Sequence, residues 1–475
     1  MTRTLEYSAR DIRERAVGDG ILRGRADDGV VRFQGVRYAR AGRFEAPVDE
    51  PVLTGEHDAL DDGPMCPQPA FELALMGLPE AVTALDEDCF FVTVTVPDSE
   101  PERPRPVMVW IHGGSYVNGT GAGEYYDTGR IARDGDVVVV AINYRLGAFG
   151  FLHKEGSTEP NLGILDQLSA LRWVQRTIAD FGGDPGNVTL FGQSAGADAI
   201  AYLLAITEAD SLYSKAILQS APLGLDADRE SIGEQVKENF VRALAAAGTT
   251  PRKASVEQVL AAQTASRADL RGNRLTAGMP YAPVPGAGIV PARQELMARW
   301  RARAPHIRVI VGFTRDDASP FLDAVPSIAT ARQSRSLRAL TEPISQWLTH
   351  RIFGAPALRL ASVLAAAGAT VFTYRFDWRP RGTSWGACHT IDLPFFFGTQ
   401  DQWRGSPMLG GVEWTELETL GRRLRMSWAA FARTGVPVVD PARIADHWPV
   451  HRAARAARAI GKRFTFSPRY ADPAA

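Results

Sequence analysis

The segment Gly192-Gln193-Ser194-Ala195-Gly196 sets a hydroxyl between two glycines. The apolar run Asn187 to Phe191 ahead of it reads as a strand, and Ala195 to Leu204 behind it reads as a helix. On such a strand-to-helix turn a serine stands clear of its neighbours, and the glycines let backbone pass close by. The bare pattern should arise by chance ~0.1–0.2 times in a chain this long, so the strand-before, helix-after setting carries most of its weight. The bland alternative is a serine at an ordinary tight turn. The chemistry implied is attack on a carbonyl carbon. That requires a base to take the serine proton and donors to receive the oxyanion.

Donors are at hand in His112-Gly113-Gly114-Ser115-Tyr116, directly after the apolar run Val107 to Ile111. The N–H groups of Gly114 and Ser115, with that of Ala195, are the candidate oxyanion donors. His112 is read as holding this loop, because the base comes last in the chain order serine, acid, histidine. His350, His389, His447 and His451 lie in the C-terminal part. His350 falls beside the amphipathic pattern Ile344 to Thr349, and His447 and His451 flank Trp448-Pro449 in a polar tail. His389 alone follows a strand in a short loop, Gly386-Ala387-Cys388-His389. For the acid, the strand Ile307 to Val311 runs into Gly312-Phe313-Thr314-Arg315-Asp316-Asp317. A carboxylate at a strand end can orient an imidazole, and both Asp316 and Asp317 qualify.

These groups need a frame. Phe90 to Val96, Val107 to Ile111, Asp136 to Asn143, Lys215 to Gln219 and Val371 to Phe376 read as further strands. Leu162 to Phe181 has helical apolar spacing. Strands interleaved with helices predict an α/β fold with a mostly parallel central sheet and helices on both faces. Residues 226–300 and 318–368 are mainly helical and read as insertions over the functional edge of the sheet, within a single domain spanning 15–470.

Of the 475 residues, 45% are hydrophobic and 23% charged, and net charge is -1, so no sequence-wide basic field invites nucleic acid or an anionic membrane. Arg452, Arg455 and Arg458 read as a solvated helix face or tail. Charged residues fill the N-terminal stretch where an apolar signal core would lie, and no apolar run spans a membrane. The expected location is cytoplasmic. Cys66, Cys89 and Cys388 show no metal-site spacing, and no phosphate-loop or dinucleotide fingerprint is present. No metal and no cofactor are expected. The expected partner is a small-molecule ester, with the protein a monomer or homodimer.

The chain resembles the type B carboxylesterases, the α/β-hydrolase branch that includes bacterial p-nitrobenzyl esterases and animal cholinesterases. The resemblance runs from near Gly20 to Trp448 through ordered blocks: Phe33 to Ala39, Glu87-Asp88-Cys89, Val109 to Gly114, Asn143 to Gly147, Asn161 to Gln167 and Phe181 to Thr189. The Ser194, Asp317 and His389 blocks complete it. It implies an α/β-hydrolase fold, with Ser194 as nucleophile, His389 as base and then acid, Asp317 as triad acid, and Gly114, Ser115 and Ala195 as oxyanion donors. Arg145, Asp166 and Asn187 match structural positions. Cys66 and Cys89 match a pair bridged in secreted relatives, and reduced thiols are expected here. The sequence departs from the family in four places. Gln193 replaces a Glu, Ala197 a Gly, and Ser115 a third glycine, while Asp317-Ala318 replaces Glu-Gly. Tyr116, Phe395, Phe396 and Trp110 lie near the motifs; most read as core, with one or two as candidate walls of an apolar acyl or alcohol pocket. Two alternatives stand beside ester hydrolysis: a specialised hydrolase of a carbamate, lactone or polyester toxin, and a non-catalytic adhesion-type relative, which would have lost the nucleophile.

Overall fold

Val138–Ile142 is a run of five buried apolar residues, and such a strand needs cover on both faces. The computed structural model describes residues 11–69, 76–77, 84–121, 123–152, 159–267, 270, 278–323, 325–437 and 458–460. In chain order its strands are β1 (Ile12–Val17), β2 (Asp19–Asp27), β3 (Val30–Arg37), β4 (Ala39–Arg40), β5 (Val48–Asp49), β6 (Thr54–Asp58) and β7 (Phe91–Pro97). Then follow β8 (Arg105–Ile111), β9 (Val138–Ile142), β10 (Gly183–Gln193), β11 (Lys215–Gln219), β12 (Arg308–Thr314), β13 (Thr370–Phe376) and β14 (Arg458–Ile460). Twelve of them form one sheet in the order β1-β2-β3-β7-β9-β8-β10-β11-β12-β13-β14, with β6 beside β2. Every neighbouring pair from β9 to β14 is parallel. The β1-β2-β3-β7-β9 side is antiparallel.

Successive side chains of a strand point to opposite faces. Val107, Val109 and Ile111 of β8 therefore enter one core, and Met108 and Trp110 the other. The helices Leu162–Thr177 and Ala195–Leu203 cover the first face through Leu168 and Ala199. The helices Gly129–Gly135 and Trp414–Thr434 cover the second through Ile131 and Trp428. This is the α/β-hydrolase architecture the sequence predicts. The stretch 226–300 contains the helices Arg229–Ala246, Val256–Ser266 and Arg293–Arg303. The stretch 318–368 contains Pro326–Gln333, Arg335–Thr349 and Ala355–Ala366, with a π-helical turn, His350–Gly354, between the last two.

One reading needs correction, and several strands lie outside the predicted set. The strands β1, β2 and β6 were not legible: Arg13, Glu14 and Arg15 interrupt any apolar pattern in β1, which is a charged edge strand with most of its residues solvated. Arg458 is not on a helix face; it opens β14, paired with Tyr374 on the far edge of the sheet. Arg452, Arg455, His447 and His451 lie outside the described residues. No described helix is long and apolar enough to cross a membrane.

Candidate active site

The strand β10 ends at Gln193, and the helix Ala195–Leu203 begins two residues later. Ser194, between them, has φ 57° and ψ −125°, a conformation that L-residues rarely hold without outside constraint. The constraint is visible. The Ser194 N–H donates to the Gln219 carbonyl at 2.9 Å, and the Asp198 N–H donates to the Ser194 carbonyl at 2.9 Å. A Cβ on Gly196 would lie 2.0 Å from the Ile111 carbonyl oxygen, so only glycine lets the helix sit this close to β8. The turn also aims the helix N-terminus, with its positive end of the dipole, at the region around Ser194.

His389 is buried, and its Nδ1 lies 2.6 Å from Asp317 Oδ1. Asp317 is fully buried, and its Oδ2 accepts from Ser220 Oγ at 2.7 Å and from the Thr314 N–H at 2.9 Å. An ionised carboxylate at Nδ1 selects the tautomer that carries its proton there, leaving the Nε2 lone pair free to accept. The side-chain amide of Gln193 lies 3.2 Å from that Nε2. No hydrogen bond joins Nε2 to Ser194 Oγ in this conformation.

Asp316 faces elsewhere. Its carboxylate accepts from the Ala387 N–H at 2.8 Å and from Gln346 Nε2 at 2.7 Å, and its own N–H donates to the Ala387 carbonyl at 2.9 Å. It therefore ties down the loop that carries His389. A Cβ on Gly386, at φ 70°, would lie 2.3 Å from Asp316 Oδ2. Burial raises the Asp316 carboxyl above the usual range. Ala318 has φ −79° and donates to Thr349 Oγ1 at 2.9 Å, so alanine in place of the family's glycine needs no unusual backbone.

The loop after β8 is held in a rare shape, with φ 108° at Gly114, 55° at Ser115 and 61° at Tyr116. A Cβ on Gly114 would lie 1.9 Å from the Asn118 carbonyl oxygen. Among the described residues the N–H groups of Gly114, Ser115 and Ala195 engage no acceptor. His112 is fully buried beneath the loop, with Nδ1 2.8 Å from the Gly113 carbonyl and its ring stacked on Tyr144 at 4.4 Å. Burial pushes it down to about 4, so it stays neutral and supports the loop.

Ser194, Gln193, His389 and the Gly113-Gly114-Ser115 loop line one cavity of about 260 Å³. Its walls include Met76, Val117, Tyr125, Tyr126, Phe321 and Arg267. Phe321 and Phe353 each bring a ring centroid within 5.2 Å of the imidazole. The candidate wall aromatics Trp110, Tyr116, Phe395 and Phe396 are instead buried in the cores, where Tyr116 donates to Asp198 Oδ2 at 2.8 Å. Neighbouring Tyr125 and Tyr126 carry no sequence signal, because they lie in a single 3-10 turn, Glu124–Tyr126, too short for a periodic pattern. A larger groove of about 620 Å³ passes between Trp300 and Trp347, but none of its lining residues is a serine, cysteine or carboxylate. Size alone would have misplaced the site.

Supporting groups are buried nearby. Arg145 grips Asp166 through Nε at 2.8 Å and Nη2 at 2.6 Å, and its own N–H reaches the same carboxylate at 3.0 Å. Asn187 accepts from Lys215 Nζ. Cys66 and Cys89 are buried and unbridged. Asp392, three residues after His389, accepts from Gln219 Nε2 at 2.7 Å, and burial pushes its carboxyl up to about 6.

A strand-to-helix serine, a carboxylate-held imidazole and a loop whose N–H groups have no acceptor among the described residues come together at one cavity, an arrangement suited to acyl transfer. The carboxylesterase family model matches residues 13–339 and 327–461. The chain belongs to that family and is a carboxylic ester hydrolase. It is 39% identical over 438 residues to a probable N-octanoylanthranilate hydrolase of Rhodococcus erythropolis, covering 91% of this chain and 94% of that protein. It is 34% identical to the para-nitrobenzyl esterase of Bacillus subtilis, covering 91% of each. Among solved structures, a thermophilic PNB esterase superposes with a TM-score of 0.78 at 30% identity, covering 95% of this chain and 97% of that one.

Proposed function

We propose that one domain spanning 15–470 hydrolyses carboxylic esters through an acyl-enzyme on Ser194. His389 Nε2 takes the Ser194 proton as Oγ attacks the carbonyl carbon. Asp317 holds the imidazole and stabilises the imidazolium that forms. The N–H groups of Gly114, Ser115 and Ala195 receive the oxyanion. His389 then protonates the departing alcohol, and the same steps with water release the acid. The observation that carries this reading is the 2.6 Å contact between His389 and a fully buried Asp317, in a cavity shared with Ser194.

The cavity, about 260 Å³, sits just below the ~300–1,000 Å³ usual for small-molecule sites, which favours short to medium acyl or aryl esters. A panel of p-nitrophenyl esters of increasing acyl length tests this, with Ser194→Ala alongside. kcat/KM should fall for long chains, and the variant should be inactive on all of them. A second reading is favoured by the relative named for N-octanoylanthranilate: the same acyl-enzyme cleaving an N-acyl aryl amide. Turnover of N-octanoylanthranilate at a rate comparable to an octanoyl ester would establish it.

A further inference from the structure

The charge inside the catalytic cavity is one-sided. Among its described lining residues there is no Asp or Glu, and Arg267 carries the only fixed charge. The residue beside the nucleophile, where the family has a carboxylate, is the neutral Gln193. Arg267 follows the helix Val256–Ser266 and is exposed. No hydrogen bond or ion pair joins its guanidinium to another described residue. Many described arginines are ion-paired, as Arg145 is with Asp166 and Arg229 with Asp198. A guanidinium with no partner among the described residues, beside a partly apolar cleft, presents a planar fork of donors that fits a carboxylate.

We propose that Arg267 is a binding residue for a carboxylate on the substrate, so that the enzyme prefers anionic esters to their neutral isosteres. This rests on the acyl-enzyme reading above. Tyr125, Tyr126, Phe321 and Met76 hold the apolar body of such a substrate, and Arg267 holds its charged end. The matching cationic ester meets a like charge and no compensating acid, and is disfavoured.

Arg267 also has a plain structural reading, as a basic residue at a helix C-terminus where it opposes the dipole. The two readings separate in a ratio. Two probe pairs are used: 4-nitrophenyl hemisuccinate against its methyl ester, and 4-carboxyphenyl butyrate against its methyl ester. They put the carboxylate on the acyl side and on the leaving-group side. For each pair the charged-to-neutral ratio of kcat/KM is compared between wild type, Arg267→Gln, Arg267→Glu and Arg267→Lys, so intrinsic reactivity cancels. In at least one pair the ratio should fall roughly 10-fold or more in Arg267→Gln and further in Arg267→Glu, chiefly through KM, and recover in large part in Arg267→Lys. The effect in wild type should shrink with added salt. A structural role lowers both esters of a pair alike and leaves the ratio unmoved. A ratio that changes less than about twofold in both pairs overturns the proposal. Ser194→Ala is run in the same assay: residual turnover there would sink the acyl-enzyme reading itself, whatever the ratios do.

Discussion

The side-chain amide of Gln193 lies 3.2 Å from Nε2 of His389, the nitrogen through which a serine would be activated. An amide N–H can donate there only while that nitrogen is unprotonated, and it occupies the lone pair that must take the Ser194 proton. In the proposed mechanism Gln193 therefore competes with Ser194 for that nitrogen.

Gln193→Glu should therefore move the acid limb of the kcat/KM profile. A carboxylate beside the ring favours the protonated imidazole, which cannot act as base. Activity is present above the limb and lost as pH falls through it, so the limb should rise by roughly 1 pH unit. Gln193→Ala should not raise it. A limb that stays in place in Gln193→Glu would remove Gln193 from the description of the base.

Asp317 and Asp316 are adjacent but do different work. Asp317→Asn should lower kcat by ~10³–10⁴, because the imidazole loses the partner that fixes its tautomer. Asp316→Asn should cost chiefly stability, on the order of 1–2 kcal/mol, through the loop it ties to Ala387 and Gln346. Denaturant melts and kcat for both variants check this. An inactive Asp316→Asn beside an active Asp317→Asn would reverse the assignment.

Gly114→Ala tests the oxyanion loop. A Cβ there meets the Asn118 carbonyl at 1.9 Å, so the loop must shift and at least one donor moves out of line. kcat should fall by ~10²–10³, and the melting temperature should fall with it, because the clash is with backbone at a position of φ 108°. An unaffected kcat would separate this loop from catalysis.

The site residues were unequally legible. Ser194 and His389 could be read because each stands in a local pattern: an elbow with glycines on both sides, and a short loop after a strand. Local pattern alone left both Asp316 and Asp317 open, and the choice of Asp317 came from the family resemblance, since neighbouring residues at a strand exit face different partners and only the fold shows which faces His389. Ser220, Phe321, Phe353 and Arg267 were invisible as site residues, because none has a motif of its own: Phe321 and Arg267 line the cavity, Phe353 packs beside the imidazole, and Ser220 donates to Asp317. The buried parallel strands were read to within a few residues, while the charged edge strands β1 and β6 gave no apolar signal at all. Hydrophobic patterning reports burial, and so it finds the centre of a sheet more readily than its rim.

Asp392 gives a pH-dependent prediction. Its carboxyl is raised to about 6 in the folded protein, against ~3.9 in an unfolded chain. The native state therefore binds the extra proton between those values, and stability falls as pH rises through that window. Complete burial is the main cause, with the charge of nearby Asp317 adding to it, and Asp392 Oδ1 finds no donor among the described residues. Asp392→Asn supplies a donor and removes the charge. Relative to wild type it should be stabilised on the order of 2 kcal/mol more at pH 7.5 than at pH 4. Parallel melting curves for the two proteins at those pH values would contradict this.

The central claim, that Ser194 is the nucleophile, is tested most directly by trapping the acyl-enzyme. The protein is treated with a fluorophosphonate probe, digested, and the modified peptide mapped by mass spectrometry. Ser194 should be the one residue labelled, in step with loss of esterase activity, and Ser194→Ala should take up no label and turn over no ester. Label on another residue, or ester turnover retained by Ser194→Ala, would contradict it.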